Sequence, residues 1–188
     1  MITSTTVKNT QPDKYSLWIV PKGKAGEQLQ QLVNKLATEH AAPHFVPHIT
    51  LVANIYASSD QEYITIKNNV AKLSKSLQPF TISLSNFEYT DEEFRCLFLR
   101  AQPSADIDHV YSATTNFFPQ VANEHFQTLP HMSVLYGSYP SDLKQKIISE
   151  HQVILQNEIT FHVESFDLYL TNNPIDSWTL DSPYKLAS

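Results

Sequence analysis

The sequence predicts an α/β fold of the α+β kind, and three observations support this. Segments that alternate like β-strands and segments with helical periodicity follow one another along the chain. A unit of strand, helix and strand occurs once in each half. The chain has 188 residues, 41% of them hydrophobic, which is enough to bury a core in one compact domain or in two packed lobes. We expect a disordered tail at 1–13, rich in Thr, Ser and Asn, and a single domain over 14–188.

In the first half of the chain, hydrophobic spacing predicts three strands and two helices. The predicted strands cover 15–20, 45–53 and 80–87, and the predicted helices cover 24–39 and 60–77. Pro79 follows the second helix and is expected to end it. The predicted buried stripes of the two helices consist of Leu29, Leu32, Val33, Leu36 and of Ile64, Val70, Leu73, Leu77.

The second half repeats this order. A strand is predicted at 94–101, then a helix to residue 117 that buries Ile107, Val110 and Thr114, and a strand at 129–136 after a loop containing Pro119. A helix follows at 141–151, with Ser141 as its N-cap. The last predicted strands are a long one at 159–170, which must bend, and a short one at 178–180.

Composition excludes several classes of protein. The net charge is −6 and Arg95 and Arg100 are the only arginines, so a general nucleic-acid binder is not expected. The single cysteine, Cys96, cannot form an intrachain disulfide. No run of 18 apolar residues is present, and the polar N-terminus does not resemble a signal peptide. We expect a monomeric cytoplasmic protein that neither spans nor binds a membrane.

Two histidines carry the main functional signal. The segments FVPHITL and TLPHMSV place His48 and His131 after a proline and two residues before Thr50 and Ser133. Composition alone gives about 1.4 His-x-Ser/Thr pairs, but about 0.014 once the proline and the apolar flanking residues are required. The two motifs also fall on equivalent strands of the repeat, so we favour a functional interpretation over two structural histidines.

The spacing suits phosphate chemistry. In a strand, residues i and i+2 face the same side, so each motif presents an imidazole and a hydroxyl together. Opening a cyclic phosphate needs a base for the attacking water and an acid for the departing ribose oxygen, and imidazole can serve as either near neutral pH. The hydroxyls of Thr50 and Ser133 are suited to hold the phosphate oxygens. This arrangement does not require a metal. Which histidine is base and which is acid depends on the ribose oxygen that leaves.

The other six histidines are expected on the surface or in packing. His40 and His44 have a metal-like spacing, but Pro43 lies between them and would end a helix there. His109, His125, His151 and His162 lie in segments without partner residues.

At the two motifs the sequence resembles the two-histidine (2H) phosphoesterase superfamily, and within it the cyclic phosphodiesterase family. The resemblance spans about residues 14–181 and includes YSLW, the two histidine segments, LYL and Trp178. It implies a bilobal fold, with two antiparallel sheets and outer helices arranged with pseudo-twofold symmetry around a central cleft. It also implies cofactor-free hydrolysis of nucleoside 2′,3′-cyclic phosphates and of ADP-ribose 1″,2″-cyclic phosphate. A redox-controlled loop, implied for plant members with cysteine pairs, does not transfer to a chain with one cysteine.

Trp18 and Tyr136 match aromatic positions that the resemblance implies in the substrate cleft. For Trp18, an apolar strand also predicts core packing. Strict alternation places Tyr136 opposite His131, unless the strand bends before Gly137.

The leading hypothesis is therefore an enzyme, a cyclic nucleotide phosphodiesterase acting on a small ribose cyclic phosphate. The nearest alternative keeps the histidine pair but acts on RNA ends or 2′,5′-linked oligonucleotides. Another alternative is a non-catalytic nucleotide-binding module.

Overall fold

The computed structural model describes residues 11–119, 130–155 and 158–187. Its strands are β1 Asp13–Ile19, β2 Ile49–Ala57, β3 Phe80–Tyr89, β4 Leu97–Ala101, β5 His131–Leu135, β6 Ile159–Val163, β7 Ser165–Leu170 and β8 Thr179–Lys185. Its α-helices are α1 Gly23–His40, α2 Asp60–Lys75, α3 Ala105–Phe117 and α4 Ser141–His151. Short 3-10 turns lie at Glu93–Arg95, Gln152–Leu155 and Ile175–Ser177.

The strands form two four-stranded antiparallel sheets. The first has the order β2-β1-β7-β8 and the second the order β5-β4-β3-β6. Each half of the sequence therefore contributes a strand, a helix and an edge strand in the same arrangement, with β1 equivalent to β4 and β2 to β5. The predicted α+β fold with two antiparallel sheets is confirmed, and both histidine motifs lie at the edge strands of their sheets.

The helices pack across the two halves. Helix α1 contacts β5 and β6 of the second sheet, whereas α2 contacts β2, β7 and β8 of the first and α3 contacts α2 and β2. The predicted stripe of α1, which includes Leu29 and Leu36, is fully buried. In α2 the prediction was wrong at Ile64, which is 48% exposed, since Ile66 takes the inward position instead.

The first histidine strand begins later than predicted. Residues 42–48 have no regular structure, and β2 runs from Ile49 to Ala57 rather than over 45–53. Pro43 and Pro47 have no amide hydrogen to donate to a neighbouring strand, which explains why pairing starts only after His48. At the other end, β2 continues through Asn54, which adopts a φ of 57°.

Other boundaries also differ from the prediction, among them the last strand, which was predicted at 178–180 and runs as β8 from Thr179 to Lys185. The segment predicted as one bent strand at 159–170 is two strands in different sheets, because the chain passes from the second sheet to the first at Glu164. Strand β4 begins at Leu97, since residues 93–95 form a turn. Helix α4 begins at Ser141, but Pro140 occupies its N-cap, so Ser141 is not the cap.

The predicted tail falls largely on residues 1–10, which lie outside the described part of the chain, as does His125. Strand β1 begins at Asp13, which was predicted as the last residue of the tail. None of the helices in the described ranges is long and apolar enough to cross a membrane.

Candidate active site

A cavity of about 320 Å³ contains all six residues proposed for the site from sequence. Strands β1, β2 and β5, together with the segments after β5 and β7, supply its walls. Its lining consists of Lys14, Ser16, Trp18, His48, Thr50, Ala53, Asn54, Phe94, His131, Ser133, Tyr136, Thr171 and Trp178. None of these is acidic, although the chain as a whole carries a net charge of −6. The cavity is therefore suited to an anion.

His48 is held in place on two sides. Its Nδ1 lies 2.6 Å from the carbonyl oxygen of Val46, and its ring lies flat on the indole of Trp18, with centroids 3.6 Å apart and planes at 10°. A carbonyl only accepts, so Nδ1 carries the proton of the neutral ring and Nε2 keeps its lone pair. Residue 48 thus has a defined tautomer, with Nε2 as its free acceptor.

The pKa of His48 is lowered to about 4, first by burial and to a smaller extent by the nearby His131, in spite of the opposing hydrogen bond to Val46. His48 is therefore neutral at pH 7 in the unliganded protein. The electrostatic effect of His131 also shows that the two imidazoles are close enough to influence each other's protonation.

The second motif lies on β5. His131 is half-buried and its ring meets Phe98 edge-on at 5.1 Å. Ser133 is buried, and its hydroxyl donates to the carbonyl oxygen of Phe94 at 2.8 Å. Both side chains line the cavity, as the i, i+2 spacing predicts.

Thr50 reaches the cavity at an irregular part of β2. Trp18 pairs with Thr50 while Leu17 pairs with Val52, so Leu51 is an extra residue, and a second register shift occurs towards Tyr15. Such bulges change which side chains face one side of a sheet. They place Ala53 and Asn54, in addition to Thr50, at the cavity wall.

Aromatic rings form the remaining wall. Trp18 belongs both to the core and to the cavity wall. It is buried and stacks on Tyr169 with ring centroids 4.2 Å apart, and it also lines the cavity. Tyr136 also lines the cavity and stacks on Phe45 at 3.9 Å. Alternation would have turned Tyr136 away, but β5 ends at Leu135 and the chain turns through Gly137, whose φ is 137°.

Sequence reasoning missed several lining residues. Lys14 and Ser16 share a face of β1 with Trp18, so strand alternation from Trp18 could have identified them. Thr171, Asn54 and Phe94 gave no such signal, because the pairing of β1 with β7, the β2 bulges and a turn bring them there. Trp178 was noted in the family resemblance but not proposed for the site.

Other histidines lie elsewhere. His40 ends α1 and His44 lies beyond it, where its Nδ1 is 3.3 Å from Asn34 Oδ1. Over the described residues, no group of three or more His, Cys, Asp or Glu side chains is placed to hold a metal ion.

Comparison with known proteins shows which family the chain resembles. The family model described as the 2′-5′ RNA ligase superfamily matches residues 21–174. The Arabidopsis thaliana protein named cyclic phosphodiesterase is 23% identical over 139 residues, which cover 74% of each chain.

Two solved structures share the fold. LigT from E. coli has a TM-score of 0.62 at 13% identity, covering 95% of this chain and 100% of its own. It has also been solved with 3′-AMP, with phosphate and with NADP+. TT0787 of Thermus thermophilus has a TM-score of 0.62 at 13% identity, covering 92% of this chain and 97% of its own.

The expected enzyme class, a phosphodiesterase, agrees with these relatives. The family model spans most of the chain and the fold is that of LigT. The protein therefore belongs to the 2′-5′ RNA ligase superfamily, the two-histidine phosphoesterases predicted from the paired motifs.

Proposed function

We propose that this protein is a metal-independent cyclic phosphodiesterase. Its substrates are nucleoside 2′,3′-cyclic phosphates, ADP-ribose 1″,2″-cyclic phosphate, or both, and its product is a ribose monophosphate. The observation that carries the proposal is the convergence of His48, Thr50, His131 and Ser133 on one cavity, whose described lining residues include no carboxylate. The Arabidopsis relative, named cyclic phosphodiesterase, supports this reaction class.

In the proposed reaction, water attacks phosphorus opposite the ribose oxygen that leaves. One imidazole accepts a proton from the water as the new P–O bond forms. The other donates a proton to the ribose oxygen as the old P–O bond breaks, so the imidazoles finish with exchanged protonation states. Neutral His48, with Nε2 as an acceptor, supplies a base in the unliganded site. In that case His131 has to be protonated when the substrate binds, so that it can serve as the acid. A bound anionic phosphate stabilises a protonated imidazole, so either histidine can carry the proton in the complex. The two roles therefore exchange if the other ribose oxygen leaves.

The two hydroxyls stabilise the charge on the non-bridging oxygens. Ser133 donates to the Phe94 carbonyl in the unliganded protein and has to rotate towards the phosphate when substrate binds. Trp18 and Tyr136 form the wall against which the ribose or the base packs.

Phosphorus NMR tests the proposal. Purified protein incubated with a 2′,3′-cyclic nucleotide should convert the cyclic phosphate signal to that of a monoester, with and without a chelator. His48→Ala and His131→Ala should each lower kcat by at least about 10². His44→Ala is the matched control, because His44 is exposed and lies outside the cavity. The proposal fails if no turnover occurs, or if both site variants turn over like the control.

Activity on RNA ends or 2′,5′-linked oligonucleotides is the second candidate, and the name of the superfamily favours it. A cavity of about 320 Å³ and a net charge of −6 fit a small ligand better. A polyanion bound through several phosphates loses affinity steeply as salt rises, whereas a small ligand loses much less. The salt dependence of KM therefore separates the two candidates. A non-catalytic nucleotide-binding module would bind the cyclic nucleotide without converting it to a monoester.

The proposal also places the protein in the cytoplasm as a monomer. Size-exclusion chromatography tests the monomeric state.

A further inference from the structure

Lys14 lies at one end of the active-site cavity, away from the histidines. It shares a face of β1 with Ser16 and Trp18, and all three line the cavity. Four residues of strand separate the Cα atoms of Lys14 and Trp18 by about 13 Å. Since Trp18 stacks on His48, the Lys14 end is displaced from the reacting phosphate along the strand.

Hydrogen bonds hold the backbone of Lys14 in place, whereas its ammonium forms no ion pair with a described residue. Its amide donates to Asn172 Oδ1 at 2.8 Å, and its carbonyl accepts from the amide of Thr171 at 2.7 Å. Within the described ranges, no carboxylate pairs with the Lys14 ammonium. Among the described residues of the cavity lining, every other one is neutral or a histidine, so Lys14 is a cation with no described acidic neighbour in the cavity wall.

Polar groups surround this end of the cavity. Ser16 and Thr171 are buried and hydrogen-bonded to each other at 3.1 Å, and the Thr171 hydroxyl donates to the Lys14 carbonyl at 3.2 Å, so these two hydroxyls hold the strand beside the ammonium. Asn54, at the bulge of β2, lines the same cavity. The Lys14 ammonium, with the Asn54 amide beside the same cavity, supplies donors that suit phosphate oxygens.

A second space adjoins the cavity at Lys14. A neighbouring polar groove of about 430 Å³ is lined by Lys14, Gln11, Pro12, Tyr56, Asn172 and Asn173. Lys14 lines both spaces, so its ammonium can contact a ligand that reaches this end of the cavity from the histidines.

We propose that Lys14 forms a second phosphate subsite, selecting ribose cyclic phosphates that carry another phosphate or pyrophosphate on the far side of the ribose. This inference rests on the proposed function and narrows its substrate class. A nucleoside whose only phosphate is the cyclic one leaves the subsite unused. A substrate with a 5′-phosphate or pyrophosphate fills it.

Calorimetry with two stable compounds tests the subsite without turnover. Adenosine 2′-phosphate has one phosphate, and adenosine 2′,5′-bisphosphate adds the second at the far side of the ribose. The wild-type protein should bind the bisphosphate about tenfold more tightly, the gain expected of a charged hydrogen bond. Lys14→Gln should reduce this preference to about twofold or less, and Lys14→Arg should keep most of it.

Lys75→Gln is the matched control. Lys75 is exposed in the last turn of α2 and lines neither space, so this variant loses the same charge away from the site. It should keep the wild-type preference. A wild-type protein without preference, or equal loss of preference in Lys14→Gln and Lys75→Gln, overturns the inference.

Kinetics separate this inference from the proposed function. The ratio of kcat/KM for adenosine 2′,3′-cyclic phosphate with and without a 5′-phosphate should be about ten for the wild type and fall in Lys14→Gln. Turnover of the 5′-hydroxyl substrate with a ratio near one would overturn only the subsite. Absence of turnover with both substrates would overturn the proposed function, and the calorimetric preference would still decide the subsite.

Discussion

The imidazole of His48 lies parallel to the indole of Trp18, with ring centroids 3.6 Å apart and an interplanar angle of 10°. Trp18 lies on β1, and His48 directly precedes the neighbouring strand β2, in which Thr50 pairs with Trp18. Tyr169 of β7 stacks on Trp18 as well, at 4.2 Å. Trp18 therefore connects the hydrophobic core of the first sheet to the orientation of a proposed catalytic ring.

Replacing Trp18 tests this connection. Trp18→Leu should lower kcat by about 10- to 100-fold, because a shift of about 1 Å in a catalytic group is enough for such a loss. It should also lower the free energy of unfolding by about 3 kcal/mol, since Trp18 is only 2% exposed. Trp18→Phe keeps an aromatic ring against His48 and should retain more activity. Turnover and urea unfolding measure the two effects, and a Leu variant as active as the Phe variant would contradict the positioning role.

Acid should destabilise the protein through His48. Its pKa is about 4 in the folded protein and about 6.5 in the unfolded chain, so between these values only the unfolded chain takes up the proton. Stability is then lost as pH falls from about 6.5 to about 4, and this group contributes about 2.5 kcal/mol of the loss by pH 4.5. No further loss from His48 is expected below pH 4.

Urea unfolding of the wild type and His48→Gln at pH 7 and 4.5 measures this contribution. The variant should lose about 2.5 kcal/mol less than the wild type between the two pH values. Equal losses would mean that His48 is not buried in its neutral form. His44→Gln is the control, because His44 is exposed and should follow the wild type.

The sequence predicts the paired motifs well because their information is local. A proline, a histidine and a hydroxyl at i+2 define both sites, and alternation explains why His131 and Ser133 face one cavity. The predicted start of β2 at residue 45 was wrong. Residues 45–47 are apolar like a strand, but Pro47 prevents regular pairing. The positions of Asn54 and Thr171 depend on bulges and on sheet pairing over more than 150 residues, which no local pattern contains.

Thr50 offers a separate test of phosphate binding. Thr50→Val keeps the branched shape and removes the hydroxyl, so kcat/KM for a cyclic nucleotide should fall by about 10²-fold, while Thr50→Ser should keep most activity. Thr179→Val is the matched control, because Thr179 is exposed on β8 and outside the cavity. Unfolding in urea should be similar for the Val variants. A Thr50→Val variant with unchanged kcat/KM would remove Thr50 from the proposed phosphate site.

Lys144 should support the site from a distance. Its side chain is 1% exposed, and its ammonium donates to the carbonyl of Thr90 and to Asp91 Oδ1, both at 2.8 Å. These bonds hold the segment that leads to Phe94, whose carbonyl accepts the Ser133 hydroxyl.

Lys144→Met should lower the free energy of unfolding by about 2 kcal/mol, because the part-buried carbonyl of Thr90 loses a charged donor while the exposed Asp91 regains water. It should also raise KM, since Phe94 lines the cavity. Lys146→Met on the same helix removes an exposed ion pair with Glu150 at 3.8 Å and should change stability by no more than about 0.5 kcal/mol. Urea unfolding and KM of the two variants measure this. Equal effects would contradict a positioning role for Lys144, because the two variants differ chiefly in whether the lysine is buried against the 90–94 segment.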